Sequence, residues 1–137
     1  MSRVQLAINV SDLDAAVEFY SKLFSVAPAK RRPGYANFAV PEPPLKLVLI
    51  ENDKGGTLNH LGVEVESRSE VSAAAGRLAG AGLETAVQDQ VDCCYALQDK
   101  VWVHDPDSAP WEVYTVVADS SAPGSGESCC GPDPSCC

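Results

Sequence analysis

Basic residues are scarce in this chain. Ten Lys and Arg stand against 19 Asp and Glu, a formal charge of −9, which repels nucleic acid and anionic membrane surfaces and leaves no basic stripe to bind either. Long apolar runs are missing as well: none approaches the roughly 18 residues that a membrane span needs. The N-terminus passes directly into an alternating segment and a polar-faced helix, without the basic region and uninterrupted apolar stretch of a secretory signal. These absences predict a cytoplasmic protein that acts on a small molecule or a cationic partner, with neither nucleic acid nor membrane as a partner. The last part of the chain has almost nothing large and apolar to bury. Beyond about Asp119 it is built from Ser, Gly, Pro and Cys, which predicts a tail over residues 120–137 that is disordered unless a ligand orders it.

The rest, 137 residues in all with the tail, suffices for one compact domain and is too short for two independent ones. Val4, Leu6, Ile8 and Val10 alternate with Gln5, Ala7 and Asn9, the pattern of a half-buried strand. Asn59-His60-Leu61-Gly62-Val63-Glu64-Val65 is a near-copy of that segment and starts a second module. In the first, a helix capped by Ser11 or Asp12 runs to about Phe24, and strands follow at about 27–32, 35–40 and 46–51, separated by Pro33-Gly34 and the prolines 41, 43 and 44. In the second, a strand at 58–66 precedes a helix from Ser67 or Ser69 to Ala81, ended by Gly82, and strands at 84–89, 99–104 and 111–117. The order βαβββ thus occurs twice, over 3–51 and 57–117, within a single domain of residues 1–119. Aligning the modules sets Gln5 on His60 and Lys46 on Glu112.

Six cysteines stand in three adjacent pairs, Cys93-Cys94, Cys129-Cys130 and Cys136-Cys137. Neighbouring Cα atoms lie about 3.8 Å apart, below the range of about 4.4 to 6.8 Å usual for disulfides, so such pairs stay reduced. Two adjacent thiols close readily on one soft, thiophilic centre. The plain alternative is two small buried hydrophobes. Cys93 and Cys94 fall between the second and third strands of module two, in a connection able to fold over a cleft. The two tail pairs have two readings: a scavenger that passes a metalloid inward, or a sponge unrelated to turnover.

Two βαβββ units, His60 at the start of the second, and Asp105-Pro106-Asp107 followed by Trp111-Glu112-Val113-Tyr114 resemble the vicinal oxygen chelate superfamily, which includes glyoxalase I, extradiol dioxygenases and bleomycin and fosfomycin resistance proteins. The resemblance covers residues 3 to 117, with Ser108 where glycine is usual. It implies an α+β fold, two tandem βαβββ modules forming a curved open barrel around a metal cleft, with ligands on the first and last strand of each module. Carried over residue by residue, those positions are Gln5, Lys46, His60 and Glu112. An ammonium has no lone pair to give a metal, which leaves Gln5, His60 and Glu112. This is a two-histidine-one-carboxylate triad with Gln for one His, and it points to Fe(II), with zinc as the alternative. His104, the other histidine, is expected to be exposed or behind the ligands.

Within the superfamily, these ligands together with Asp92-Cys93-Cys94-Tyr95 are similar to the ArsI-type carbon-arsenic lyases and to related cadmium-induced proteins. That likeness implies an Fe(II)-dependent dioxygenase, with dioxygen as co-substrate, which cleaves the carbon-arsenic bond of trivalent organoarsenicals such as methylarsenite and releases arsenite. Cys93 and Cys94 would bind the arsenic, and Tyr35, Phe38, Tyr95 and Trp102 are candidates to line the cleft. The alternative is a non-catalytic protein that sequesters cadmium or arsenite. The superfamily builds its cleft within one chain or across a swapped dimer, so both monomer and homodimer are expected states.

Overall fold

A computed structural model of the chain describes residues 2–93 and 95–120, and for Cys93 the backbone alone. The expected disordered tail and the substrate role expected of Cys94 lie outside the described residues.

Helix α1 (Leu13–Phe24) starts where expected. Asp12 accepts a hydrogen bond from Ala15 N at 3.1 Å, and Glu51 accepts one from Leu13 N at 2.7 Å. Two carboxylates therefore meet the free N–H groups at the positive end of the helix. Helix α2 (Arg68–Gly80) is capped by Ser67, whose side chain accepts from Glu70 N, while the Glu70 carboxylate reaches back to Glu66 N. This reciprocal arrangement follows from the Ser-x-x-Glu spacing. Gly82 ends the segment at φ 86°, where a glycine carries no steric penalty.

Eight strands form one sheet: β1 (Arg3–Val10), β2 (Lys30–Arg32), β3 (Tyr35–Val40), β4 (Leu45–Glu51), β5 (Leu58–Glu64), β6 (Ala86–Cys93), β7 (Ala96–His104) and β8 (Pro110–Asp119). Their spatial order is β2-β3-β4-β1-β5-β8-β7-β6. In each module the first strand lies parallel to the last, β1 beside β4 and β5 beside β8. The two modules meet along an antiparallel β1–β5 ladder. The result is the expected α+β architecture of two βαβββ units, and the first strands of both modules are central. Register then decides which side chains become neighbours: Gln5 lies opposite Lys46 on one side and Gly62 on the other, and Gly62 lies opposite Glu112.

Both faces of the sheet are covered. On the helix side, Leu13 and Val17 of α1 pack with Ala36, Phe38, Leu47 and Leu49, while Val71 and Ala74 of α2 pack on Val101. On the inner side Ala7, Tyr35, Val48, Ile50 and Tyr95 form a smaller cluster. The alternation in β1 is present with a reversal of its weight. Gln5, Ala7 and Asn9 are the deeply buried residues, whereas Val4 is 50% exposed and Leu6 and Ile8 are partly covered on the α1 side. A curled sheet closes its inner face more completely than two helices cover its outer one, so the polar set is the more buried.

Two expectations need correction. The first-module strand placed at 27–32 begins only at Lys30. The connection expected to carry the Cys93-Cys94 pair is largely strand: β6 extends to Cys93, which pairs with Ala96, and Tyr95 adopts φ 64°. Gln88, Gln90, Asp92 and Gln98 obscure this hairpin in the sequence because polar residues there serve a sheet edge and an inner face. Its tip is fixed by tertiary contacts. The Tyr95 ring meets Tyr35 at 5.4 Å, and the Tyr95 carbonyl accepts from Lys30 Nζ and Ser120 N, both at 2.9 Å.

Candidate metal centre

β1, β5 and β8 bring Gln5, His60 and Glu112 together on the inner face, each no more than 3% exposed. Gln5 Nε2 lies 2.7 Å from Glu112 Oε1 and 3.1 Å from His60 Nε2, and His60 Nε2 lies 3.4 Å from Glu112 Oε1. Gly62 makes this approach possible. A Cβ there would lie 3.0 Å from Glu112 Cγ and 3.2 Å from Gln5 Nε2, so a larger residue would push the side chains apart.

His60 is held in one tautomer by its neighbours. Its Nδ1 lies 2.7 Å from Asn59 Oδ1, and the Asn59 amide is oriented by donation from Nδ2 to Asn9 Oδ1 at 2.9 Å. A carbonyl oxygen only accepts, so Nδ1 carries the ring proton and Nε2 presents its lone pair inward. The edge of the ring stands against Trp102, with centroids 5.5 Å apart.

Burial by itself would raise the Glu112 pKa. The Lys100 ammonium, 2.8 Å from Oε2, outweighs it and holds the carboxyl at about 2. Glu112 is therefore an anion at neutral pH. Tyr114, the next inward residue of β8, is pushed the other way by burial and by the Glu64 and Glu112 carboxylates, well above the ordinary phenol value. It stays protonated. Its hydroxyl lies 2.5 Å from Gln5 Oε1 and 3.1 Å from Glu64 Oε2.

Lys46 sits at the fourth position of the repeat, buried on the same face, with Nζ 3.7 Å from Glu64 Oε2 and 5.1 Å from the Tyr114 ring centroid. Among the described residues no group of three His, Cys, Asp or Glu side chains stands ready for a metal, so any centre here depends on Gln5 as third donor. The donor set fits a divalent cation. His60 and Glu112 aim lone pairs at one point, which the Gln5 NH2 group fills; the same carboxamide turned end for end would offer Oε1 there. Lys100, Tyr114 and Glu64 were not singled out in the sequence. A signal for Lys100 existed: a lysine between the polar Gln98-Asp99 and the apolar Val101-Trp102-Val103 of one strand, where a solvent-facing residue is one reading and an inward charge the other.

The remaining candidates separate. Tyr35 and Tyr95 lie on the inner face, and so does Trp102, whose Nε1 donates to Gln88 Oε1 at 3.1 Å. Phe38 does not: it is buried on the α1 side of β3, because the pleat sends Tyr35 and Phe38, three residues apart, to opposite faces. His104 is exposed at the end of β7. Cys93 ends β6, at the far end of that hairpin from Trp102. Ser108, where glycine was expected, adopts φ 66° in a turn organised by the Asp105 carboxylate, which accepts from Asp107 N and Ala109 N.

Known proteins resemble both the sequence and the fold. The chain is 63% identical over 127 residues to the cadmium-induced protein CadI of Mycobacterium tuberculosis, covering 92% of this chain and 84% of that one. It is 57% identical over 136 residues to the trivalent organoarsenical cleaving enzyme of Thermomonospora curvata, covering 96% and 90%. In solved structures the fold recurs in the Mn(II)-bound glyoxalase of Novosphingobium aromaticivorans, at a TM-score of 0.63 and 24% identity over 88% of this chain and 42% of that one. It recurs too in a catechol 2,3-dioxygenase, at 0.62 and 23% over 90% and 43%. At that identity the likeness is one of fold, and this chain spans less than half of either protein. The profile of the Glyoxalase/Bleomycin resistance protein/Dioxygenase superfamily matches residues 3–113, and with relatives this similar over nearly their whole length, the chain belongs to that superfamily.

Proposed function

We propose that this protein is an Fe(II)-dependent dioxygenase that cleaves the carbon-arsenic bond of trivalent organoarsenicals, methylarsenite and trivalent aromatic arsenicals among them, and releases arsenite. The observation that carries the reading is the convergence of the His60 and Glu112 lone pairs on the Gln5 carboxamide, in a chain 57% identical to the organoarsenical cleaving enzyme of Thermomonospora curvata. Gln5, His60 and Glu112 would hold the metal. Iron(II), when bound, supplies the electrons that make dioxygen reactive.

The chain's own residues contribute positioning and charge. Cys93 and Cys94 bind the arsenic through two sulfur bonds, the two thiol protons leaving with the two hydroxyl groups of the arsenical as water, and fixing the substrate by its arsenic atom makes attack on it an intramolecular event. From Ala96, the partner of Cys93, to Trp102, the partner of Glu112, the strand path is about 20 Å at 3.3 Å a residue. The hairpin tip must therefore bend over the cleft for substrate and metal to meet, and Tyr95, turned inward onto Tyr35, follows that path. Lys100 keeps Glu112 ionised in a buried setting. Protein loaded with Fe(II) and given methylarsenite should release arsenite in air and not under argon, read by chromatography with element-specific detection. No release in air would reject the activity.

A second reading is sequestration of cadmium or arsenite by the thiols, favoured by the 63% identity to a protein named as cadmium-induced. Metal analysis of protein purified without oxygen separates the two. One iron per chain supports the enzyme, and soft metal alone, lost on Cys93→Ser and Cys94→Ser, supports sequestration.

A further inference from the structure

The Gln5 carboxamide is gripped at both ends. Its NH2 end meets Glu112 Oε1 at 2.7 Å and His60 Nε2 at 3.1 Å, both acceptors. Its Oε1 end meets the Tyr114 hydroxyl at 2.5 Å. This orientation suits a centre without a cation, because the two amide protons satisfy two lone pairs that would otherwise face each other 3.4 Å apart. A cation at the same point needs the amide oxygen, since an amide NH2 has no lone pair free to donate.

We propose that Tyr114 and Glu64 form a hydrogen-bonding switch that lets the Gln5 carboxamide turn end for end when a metal binds, so that Oε1 faces the cation and NH2 faces Tyr114. The inference rests on the metal-centre reading above and concerns residues that reading does not use. The turned amide presents N–H to Tyr114, so the hydroxyl must change from donor to acceptor. A tyrosine can do so only if its single proton has another destination. Glu64 Oε2, 3.1 Å away, is that destination. It is held in place by Arg3, at 3.1 Å from Nε and 3.0 Å from Nη2, and by Lys46 at 3.7 Å. Asn59 and Asn9 meanwhile hold His60 in the tautomer that needs no change between the two states. Tyr114 is thus a positioning residue: it acts through Gln5. Lys46, at the fourth position of the repeat, helps fix the acceptor that makes the turn possible.

Phenylalanine at 114 keeps the ring and removes both roles of the hydroxyl. With Mn(II) as a redox-inert probe, followed by the electron paramagnetic resonance of the free ion, Tyr114→Phe should bind 10- to 100-fold more weakly than the natural chain, the usual range for partners of metal ligands. In a Gln5→Ala background the same substitution should change affinity by less than about twofold, because the amide it serves is gone. Unchanged affinity in Tyr114→Phe, or an equal loss in the Gln5→Ala background, overturns the switch. A second measurement needs no variant: in 15N-labelled protein the Gln5 side-chain amide protons should show nuclear Overhauser contacts to the His60 ring without metal, and to the Tyr114 ring after Zn(II) is added. Contacts that do not move overturn it also. If His60→Ala and Glu112→Ala bind Mn(II) as the natural chain does, the metal-centre reading itself fails and the switch with it. Loss of Mn(II) in those two variants with Tyr114→Phe unaffected overturns the switch alone.

Discussion

At the scale of single residues, the centre is an electrostatic problem solved by Lys100. A buried carboxylate at Glu112 would take up a proton in apolar surroundings, and the ammonium 2.8 Å away prevents it. Removing one partner of such a pair leaves the other charge buried and unpaired. Lys100→Met should therefore lower the unfolding free energy by about 3–5 kcal/mol, read by urea titration. The pH dependence has a definite sign. The Glu112 carboxyl falls from 4.5 to about 2 on folding, so its contribution is complete above pH 4.5 and is lost as pH falls toward 2. At about 1.4 kcal/mol per unit this is of order 3 kcal/mol. The midpoint of thermal unfolding of metal-free protein should decline across that window, and Glu112→Gln should flatten the decline. Gly62 gives a steric counterpart. In Gly62→Ala the new Cβ meets Glu112 Cγ and the Glu112 carbonyl oxygen at 3.0 Å, which should cost about 1–3 kcal/mol of stability and weaken Mn(II) binding.

Among the elements, the β6–β7 hairpin runs from Cys93 at its tip to Trp102, the partner of Glu112, at its base. Its tip is secured by Tyr95, through the ring on Tyr35 and the carbonyl on Lys30, with the Arg32 guanidinium 5.8 Å from the ring centroid. Tyr95→Ala removes the ring and leaves the strands. Amide hydrogen exchange along residues 91–98 should accelerate by at least tenfold in this variant, while exchange in β1 and β5 stays as it was. Equal exchange in the hairpin would show that the tip is held by its ladder alone. Most elements follow from local pattern: α1 and α2 with their caps, β3, β4 and β5 stand within a few residues of the positions that periodicity predicts. The hairpin does so only at its base, where strands were expected at 84–89 and 99–104; its extension to the tip does not. Its polar residues alternate without an apolar face, and the pairing partner that makes Val91-Asp92-Cys93 a strand lies across a reversal in which Tyr95 takes a positive φ.

On the scale of the whole molecule, the two modules are joined along β1–β5, and the centre draws Gln5 from the first and His60 and Glu112 from the second. Both tryptophans, Trp102 and Trp111, lie in the second. Unfolding followed by their fluorescence reports module two, and far-ultraviolet circular dichroism reports both. The two curves should coincide in guanidinium, because neither module buries its inner face alone; separated midpoints would mean that the modules unfold independently.

The sequence by itself determined the repeat and the helix caps, because strands of period two and capping residues are local facts, and its resemblance to a known family then implied Gln5, His60 and Glu112 as candidate ligands. The likeness carried by the two βαβββ units, His60, Asp105-Pro106-Asp107 and Trp111-Glu112 was legible because those segments are contiguous in the chain. Only the tertiary structure decided which face of β1 is the deeply buried one, how the carboxamide of Gln5 is turned, and that Lys100, Tyr114 and Glu64 surround it. Those facts depend on curl and register. A lysine in a strand reads alike whether it points to solvent or inward, and what sends Lys100 inward is a carboxylate that lies 12 residues away in sequence and one strand away in space.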